Sequence, residues 1–84
     1  MPSLIAALAR AFRTSDPVEY QGIVLKRAWD YVEQGYEVHV GDVGMVWRGI
    51  TRGGEPFYHV TAYDGSVDQY TDSIPKACGL LPIV

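Results

Sequence analysis

Glu37, Arg48, His59 and Tyr70 stand eleven residues apart along the chain. A carboxylate, a guanidinium, an imidazole and a phenol are the residue types of a metal-free acid–base site. An Arg can hold a phosphate while a His beside a Tyr moves a proton. Eleven is also the spacing of three turn signals, centred on 42–43, 53–54 and 64–65. The four residues therefore share a row only if the segments between those turns are strands of one sheet.

The segments read that way. After Gly35 the apolar period is 2: Tyr36, Val38 and Val40 alternate with Glu37 and His39, and Gly41-Asp42-Val43-Gly44 follows as a turn. Met45 to Thr51 is a second run closed by Arg52-Gly53-Gly54-Glu55, and Phe57 to Tyr63 is a third ended by Asp64-Gly65, a strong hairpin signal. Val67 to Thr71 is the fourth. Two-residue turns at the three centres pair 40 with 45, 45 with 62 and 62 with 67, and a slip by one would invert every side chain. One face then carries Val40, Met45, Ala62, Val67, Val38, Trp47, Val60, Tyr36 and Tyr58, with Gly49 between two tyrosines. The other carries the row Glu37–Arg48–His59–Tyr70, a second row His39–Val46–Thr61–Asp68, and Ile50 opposite Phe57.

Upstream, the spacing predicts helices. Ser3 is placed to cap residues 3–13, where Leu4, Ile5, Leu8 and Phe12 recur at helical spacing. Asp16-Pro17-Val18-Glu19 reads as a capping Asp, a Pro at the first helical position and a Glu three residues after the cap, with Gly35 as the left-handed stop. On a 100° wheel Val18, Leu25, Ala28, Trp29 and Val32 form one apolar arc, and Tyr20, Ile23, Val24 and Tyr31 form another. Downstream, Ser73 and Pro75 open a helical turn to Cys78, followed by an apolar Leu80–Val84 tail that is tucked against the core or docked on another chain. The expected fold is α+β, one domain over residues 1–84: two N-terminal helices on a four-stranded antiparallel meander. Val18, Leu25, Trp29, Val32, Val38, Trp47, Tyr58 and Val60 form its core.

Two chemistries compete for the outer row. Small toxin-type ribonucleases use Arg, His and Tyr on a sheet, which makes Arg48, His59 and Tyr70 a candidate nuclease set. Opposite charges and aromatic–His contacts on neighbouring strands are also ordinary sheet-surface stabilisation, worth about 0.2–1 kcal/mol per pair. His39 and His59 sit two strands apart, roughly 9–10 Å, too far to share one tetrahedral zinc, so no metal is expected. Neither His can be placed beside Cys78, the glycines lie in hairpin turns rather than in a phosphate loop, and no cofactor is expected.

Composition weighs against the enzyme. Seven Lys and Arg against ten Asp and Glu give a net charge of −3, where a nucleic-acid binder would show a basic stripe. Arg10 and Arg13 are the only charges in the first fifteen residues, thin support for a targeting or membrane-surface helix. No apolar run approaches the roughly 18–20 residues of a membrane span. A single cysteine rules out an internal disulfide and favours a reducing, cytoplasmic location. The inferred layout is shared by cystatin-like inhibitors and many small phage or mobile-element proteins, an analogy of architecture that carries no residues with it.

The expected function is therefore non-catalytic binding of another protein, as an inhibitor, antitoxin, immunity or anti-defence protein or a small accessory protein. The alternatives are the toxin-like ribonuclease and a structural or homo-oligomerising subunit whose partner is a second copy of the chain. The expected contact surface is the outer sheet face around Glu37, Arg48, Ile50, Phe57, His59 and Tyr70. The second candidate is the helix arc Tyr20, Ile23, Val24 and Tyr31.

Overall fold

A computed structural model describes residues 3–83. In chain order the elements are α1 (Leu4–Ala11), β1 (Val18–Tyr20), β2 (Ile23–Asp30), β3 (Gly35–Val40), β4 (Gly44–Ile50), β5 (Pro56–Ala62), β6 (Asp68–Thr71) and α2 (Ile74–Leu80). The six strands make one antiparallel sheet whose spatial order is the chain order. Both helices lie on the same side of it. The α+β meander stands, but the expected pair of N-terminal helices and the count of four strands do not.

The segment read as a second helix is the β1–β2 hairpin and the turn after it. Gln21 and Gly22 both take positive φ, 49° and 79°, the signature of the two-residue turn whose twist matches a hairpin. Valine, isoleucine and aromatic side chains crowd this stretch, and a glycine in mid-helix would cost about 1 kcal/mol. A helix would split the apolar residues over two arcs, one for the sheet and one for α1 to cover. As strands, the same residues sort without remainder: Val18, Tyr20, Ile23, Leu25 and Arg27 face the helices, and Glu19, Val24 and Lys26 face away. No helix ends at Gly35, which opens β3; the β2–β3 turn before it has Gln34 at φ 53° and the Asp30 carboxylate accepting hydrogen bonds from the Val32 and Glu33 amides. With no helix packed there by residues 17–34, the likeness to cystatin-type architecture lapses.

α1 forms as expected. Ser3 caps it by accepting from the Ala6 amide, and Leu8, Ala11 and Phe12 are buried on the sheet. α2 starts at the Ser73 cap, which accepts from the Lys76 amide, and runs through Gly79 to Leu80. Leu81 is buried and Ile83 packs against the core, so the tail is tucked in as far as it is described; Val84 lies outside the described residues. α1 packs on β1, β2 and α2, and α2 on β5 and β6. The core between helices and sheet is Leu8, Phe12, Val18, Leu25, Val38, Val40, Val46, Tyr58, Val60, Ala77 and Leu81 with their neighbours. Trp29 and Val32 are not part of it: they are 43% and 89% exposed.

Cys78 sits half-buried on α2, and burial pushes its thiol up to about 11 from 9.0. The stabilisation that comes from keeping it neutral is complete below pH 9 and is lost as pH climbs through about 11. Alkylation by iodoacetamide, followed by mass spectrometry, should accordingly be slow at pH 8. Its rate should rise with a midpoint near 11 in the folded protein, and near the ordinary thiol value once the protein is unfolded.

Candidate functional site

Strand β4 decides which side chains meet on the open face. The observed pairs are Val40↔Gly44, Val38↔Val46 and Tyr36↔Arg48 on one side, and Gly44↔Ala62, Val46↔Val60 and Arg48↔Tyr58 on the other. The connections hold three and five residues, 41–43 and 51–55, in place of the expected two. Each odd loop shifts the register by one, in opposite senses, so β3 and β5 keep their expected faces while β4 alone is inverted. The hairpin over Asp64-Gly65 has the expected register, with Gly65 at φ 82° and the Asp64 carboxylate accepting from the Ser66 amide and hydroxyl.

Arg48 and Ile50 therefore leave the open face, against expectation. Arg48 lies on the helix side, its guanidinium carbon 4.7 Å from the Phe12 ring centre, and Ile50 is 63% exposed at the same side's uncovered end. Glu37, Phe57, His59 and Tyr70 remain on the open face, where Trp47 takes the place expected for Arg48. The row is now Glu37–Trp47–His59–Tyr70, flanked by His39–Met45–Thr61–Asp68. Arg48 does not converge with His59 and Tyr70, so the candidate nuclease set is split across the sheet. The second candidate surface is dispersed as well: Tyr20 and Ile23 pack toward the core, Val24 faces the open side, and Tyr31 projects from the 31–34 turn.

The open face is an aromatic strip. His59 and Tyr70 stack at 4.2 Å with planes 10° apart, Phe57 lies 6.2 Å from Tyr70, and Trp47 meets Phe57 edge-on at 5.3 Å. The indole lies down on bare backbone. A Cβ on Gly35 would fall 2.6 Å from Trp47 Nε1, and one on Gly49 2.3 Å from its Cη2. Two glycines thus floor the slot that holds the indole, and the ring covers the backbone they leave open. Trp47 Nε1 is buried there with no hydrogen-bond partner among the described residues. Asp30, Glu33, Met45, Trp47, His59 and Tyr70 line a pocket of about 270 Å³ beside it.

Polar groups ring the strip. His59 Nε2 meets the Asp68 carboxylate at 2.5 Å. His39 bridges Glu37, 3.4 Å from Nε2, and the Tyr63 hydroxyl, 2.5 Å from Nδ1. That chain is satisfied when the imidazole carries its proton on Nε2, so that Nδ1 accepts from the phenol. Burial, with the Glu37 charge second, raises the Tyr63 phenol above its ordinary range and keeps it a donor at neutral pH. Glu19, Asp30, Glu37 and Asp68 face this side against one base, Lys26, whose ammonium is held by the Ser15 carbonyl. The face is aromatic at its centre and acidic at its rim.

Among the described residues there is no group of three or more His, Cys, Asp and Glu disposed to hold a metal, and no helix long and apolar enough to cross a membrane. Comparison with protein-family models, with curated proteins and with solved structures finds no significant match to this chain. Trp47 and Met45 are the site residues that sequence reasoning placed on the wrong side. The signal for them was the three-residue span Gly41-Asp42-Val43, whose first residue takes φ 52°.

Proposed function

We propose that this protein works by binding rather than by chemistry, docking the open sheet face on a basic surface of a partner protein. One observation carries the reading: Trp47, Phe57, His59 and Tyr70 form a continuous aromatic strip on the one face that neither helix covers. Large aromatics on an uncovered face are the residue types that anchor protein interfaces. The carboxylate rim selects the partner's charge, because Lys or Arg side chains can pair with Asp68 and Glu37 while lying over the Trp47 and Tyr70 rings. An inhibitor, antitoxin, immunity or anti-defence protein, or a small accessory subunit, acts in this way.

The test is affinity capture from the source cell with three immobilised forms: wild type, Phe57→Ala/Tyr70→Ala, and Tyr31→Ala. Each is first shown to be folded by circular dichroism and thermal melting. A partner held by wild type and Tyr31→Ala should be lost about thirtyfold or more by the sheet-face double variant, the effect of removing a hot spot. Raising the salt should release it. A partner held equally by the double variant, or released by Tyr31→Ala alone, would place the contact elsewhere. A stable dimer disrupted by the double variant would make the occupant a second copy of the chain.

A further inference from the structure

A second cleft lies on the opposite side of the sheet from the aromatic strip. It measures about 480 Å³ and sits on the helix side, at the end bounded by the 31–34 and 51–55 turns. No residue of either helix lines it; its walls include Trp29, Tyr36, Ile50, Pro56 and Tyr58, with Arg48 among them. Tyr36 and Tyr58 are the cross-strand neighbours of Arg48. Its guanidinium carbon lies 4.7 Å from the centre of the Phe12 ring. Among the described residues no carboxylate pairs with Arg48, and no protein acceptor takes a hydrogen bond from it. A second guanidinium, Arg27, covers the Tyr36 ring at 4.1 Å and donates to the Phe12 carbonyl 3.2 Å away. Trp29 packs edge-on to Tyr36 at 4.9 Å and leaves 43% of its surface exposed.

We propose that this cleft binds a small aromatic anion: a flat ring that carries a carboxylate or a phosphate. The chemistry of the walls argues for both halves of that ligand. A half-buried guanidinium whose five donors lack protein acceptors matches a planar or phosphate anion in a fork geometry that an ammonium could not reproduce. The surrounding Trp and Tyr rings supply stacking surface for a flat body. No acidic residue lines the cleft, and Arg48 is its one charged wall residue in a chain of net charge −3. A ring lying against Trp29 and Tyr36 would bring its anionic group to Arg48. The proposal is independent of partner docking, since the two sites lie on opposite faces.

Three probes separate the elements of this ligand: 2-naphthoate, its neutral analogue 2-naphthalenemethanol, and adenosine monophosphate. Each is titrated into the ¹⁵N-labelled protein, and the indole signals of Trp29 and Trp47 and the Nε–H signal of Arg48 are followed. Naphthoate, adenosine monophosphate or both should move the Trp29 and Arg48 signals and leave Trp47 still; which of the two does so assigns carboxylate or phosphate. The neutral analogue should bind roughly tenfold more weakly or worse, and Arg48→Gln should lose a similar factor. Because Arg48 also rests on Phe12, Arg48→Lys and Trp29→Leu serve as second variants. The lysine keeps the charge but not the fork, the leucine keeps the charge but not the ring, and both should weaken binding. Equal affinity for the neutral analogue, unchanged binding by folded Arg48→Gln, shifts confined to Trp47, or no shift up to about 10 mM probe would each overturn the proposal, 10 mM corresponding to only about 3 kcal/mol of binding. So would a self-associated chain whose cleft is filled by its own neighbour in light scattering.

Discussion

Phe12→Ala should destabilise the protein by about 3–5 kcal/mol, the range for truncating a fully buried aromatic. Total stability for a chain of 84 residues is of the order of 4–13 kcal/mol, so the variant is expected to be marginal at 37 °C. The ring is 2% exposed and forms the point where α1 grips the sheet. It meets Tyr58 edge-on at 5.8 Å and carries the Arg48 guanidinium on its face. Alanine would leave a cavity under both partners and unseat a cation–π contact, while the hydrogen bond from Arg27 to its carbonyl survives. Urea denaturation followed by circular dichroism measures the loss. A drop of less than about 1 kcal/mol would mean that α1 does not hold the sheet in solution, since large core truncations rarely cost so little.

Gly44→Ala is the second large effect, expected at roughly 2–3 kcal/mol and a melting temperature lowered by about 10–20 °C. A Cβ at this position would stand 2.3 Å from the Thr61 carbonyl oxygen and 3.1 Å from Ala62 Cα. These are backbone atoms of the paired strand, and no rotamer change relieves the clash. β4 and β5 must separate, and the helix-side pair Gly44↔Ala62 is lost. Gly53→Ala is the control, because its nearest neighbour is the Thr51 hydroxyl at 3.8 Å and the melting temperature should barely move. Gly49→Ala should divide differently. Its clashes are with the ends of the Trp47 and Phe57 side chains, which can swing out, so the variant should disturb partner capture more than stability. Equal melting temperatures for Gly44→Ala and Gly53→Ala would refute the observed register.

The parts of the molecule legible in its sequence are those where one physical signal had no rival. Asp64-Gly65 between alternating runs fixes the β5–β6 hairpin, which is why Phe57, His59 and Tyr70 fell on their true face. Ser3 and the Ala/Leu run fix α1 in the same way. Residues 17–34 carried two signals. Val18, Leu25, Trp29 and Val32 satisfy a 3.6 period, while Val18, Tyr20, Ile23, Leu25 and Arg27 satisfy a period of 2 only after a reversal is inserted at Gln21-Gly22. Gln-Gly is a weaker turn signature than Asn-Gly or Asp-Gly, and the Asp16-Pro17-Val18-Glu19 pattern imitates a helix start. For β4 the difficulty was parity. Both faces of Met45-Val46-Trp47 are apolar, so composition could not resist the one-residue slip that loops of three and five residues impose. Arg48 and Trp47 exchanged places on that account, and with them went the expectation of an acid–base row.

That the strand order is the chain order bears on how the molecule assembles. Each strand finds its partner across a connection of two to five residues, so the sheet can zip from turn to turn without closing a long loop at any step, and the entropic cost of each closure is small. The packing of α1 against α2 is different in kind, because it joins the first element to the last across the entire sheet. Neither helix reaches its full set of neighbours until all six strands are in register, which ties the two helices and the sheet between them into one cooperative unit.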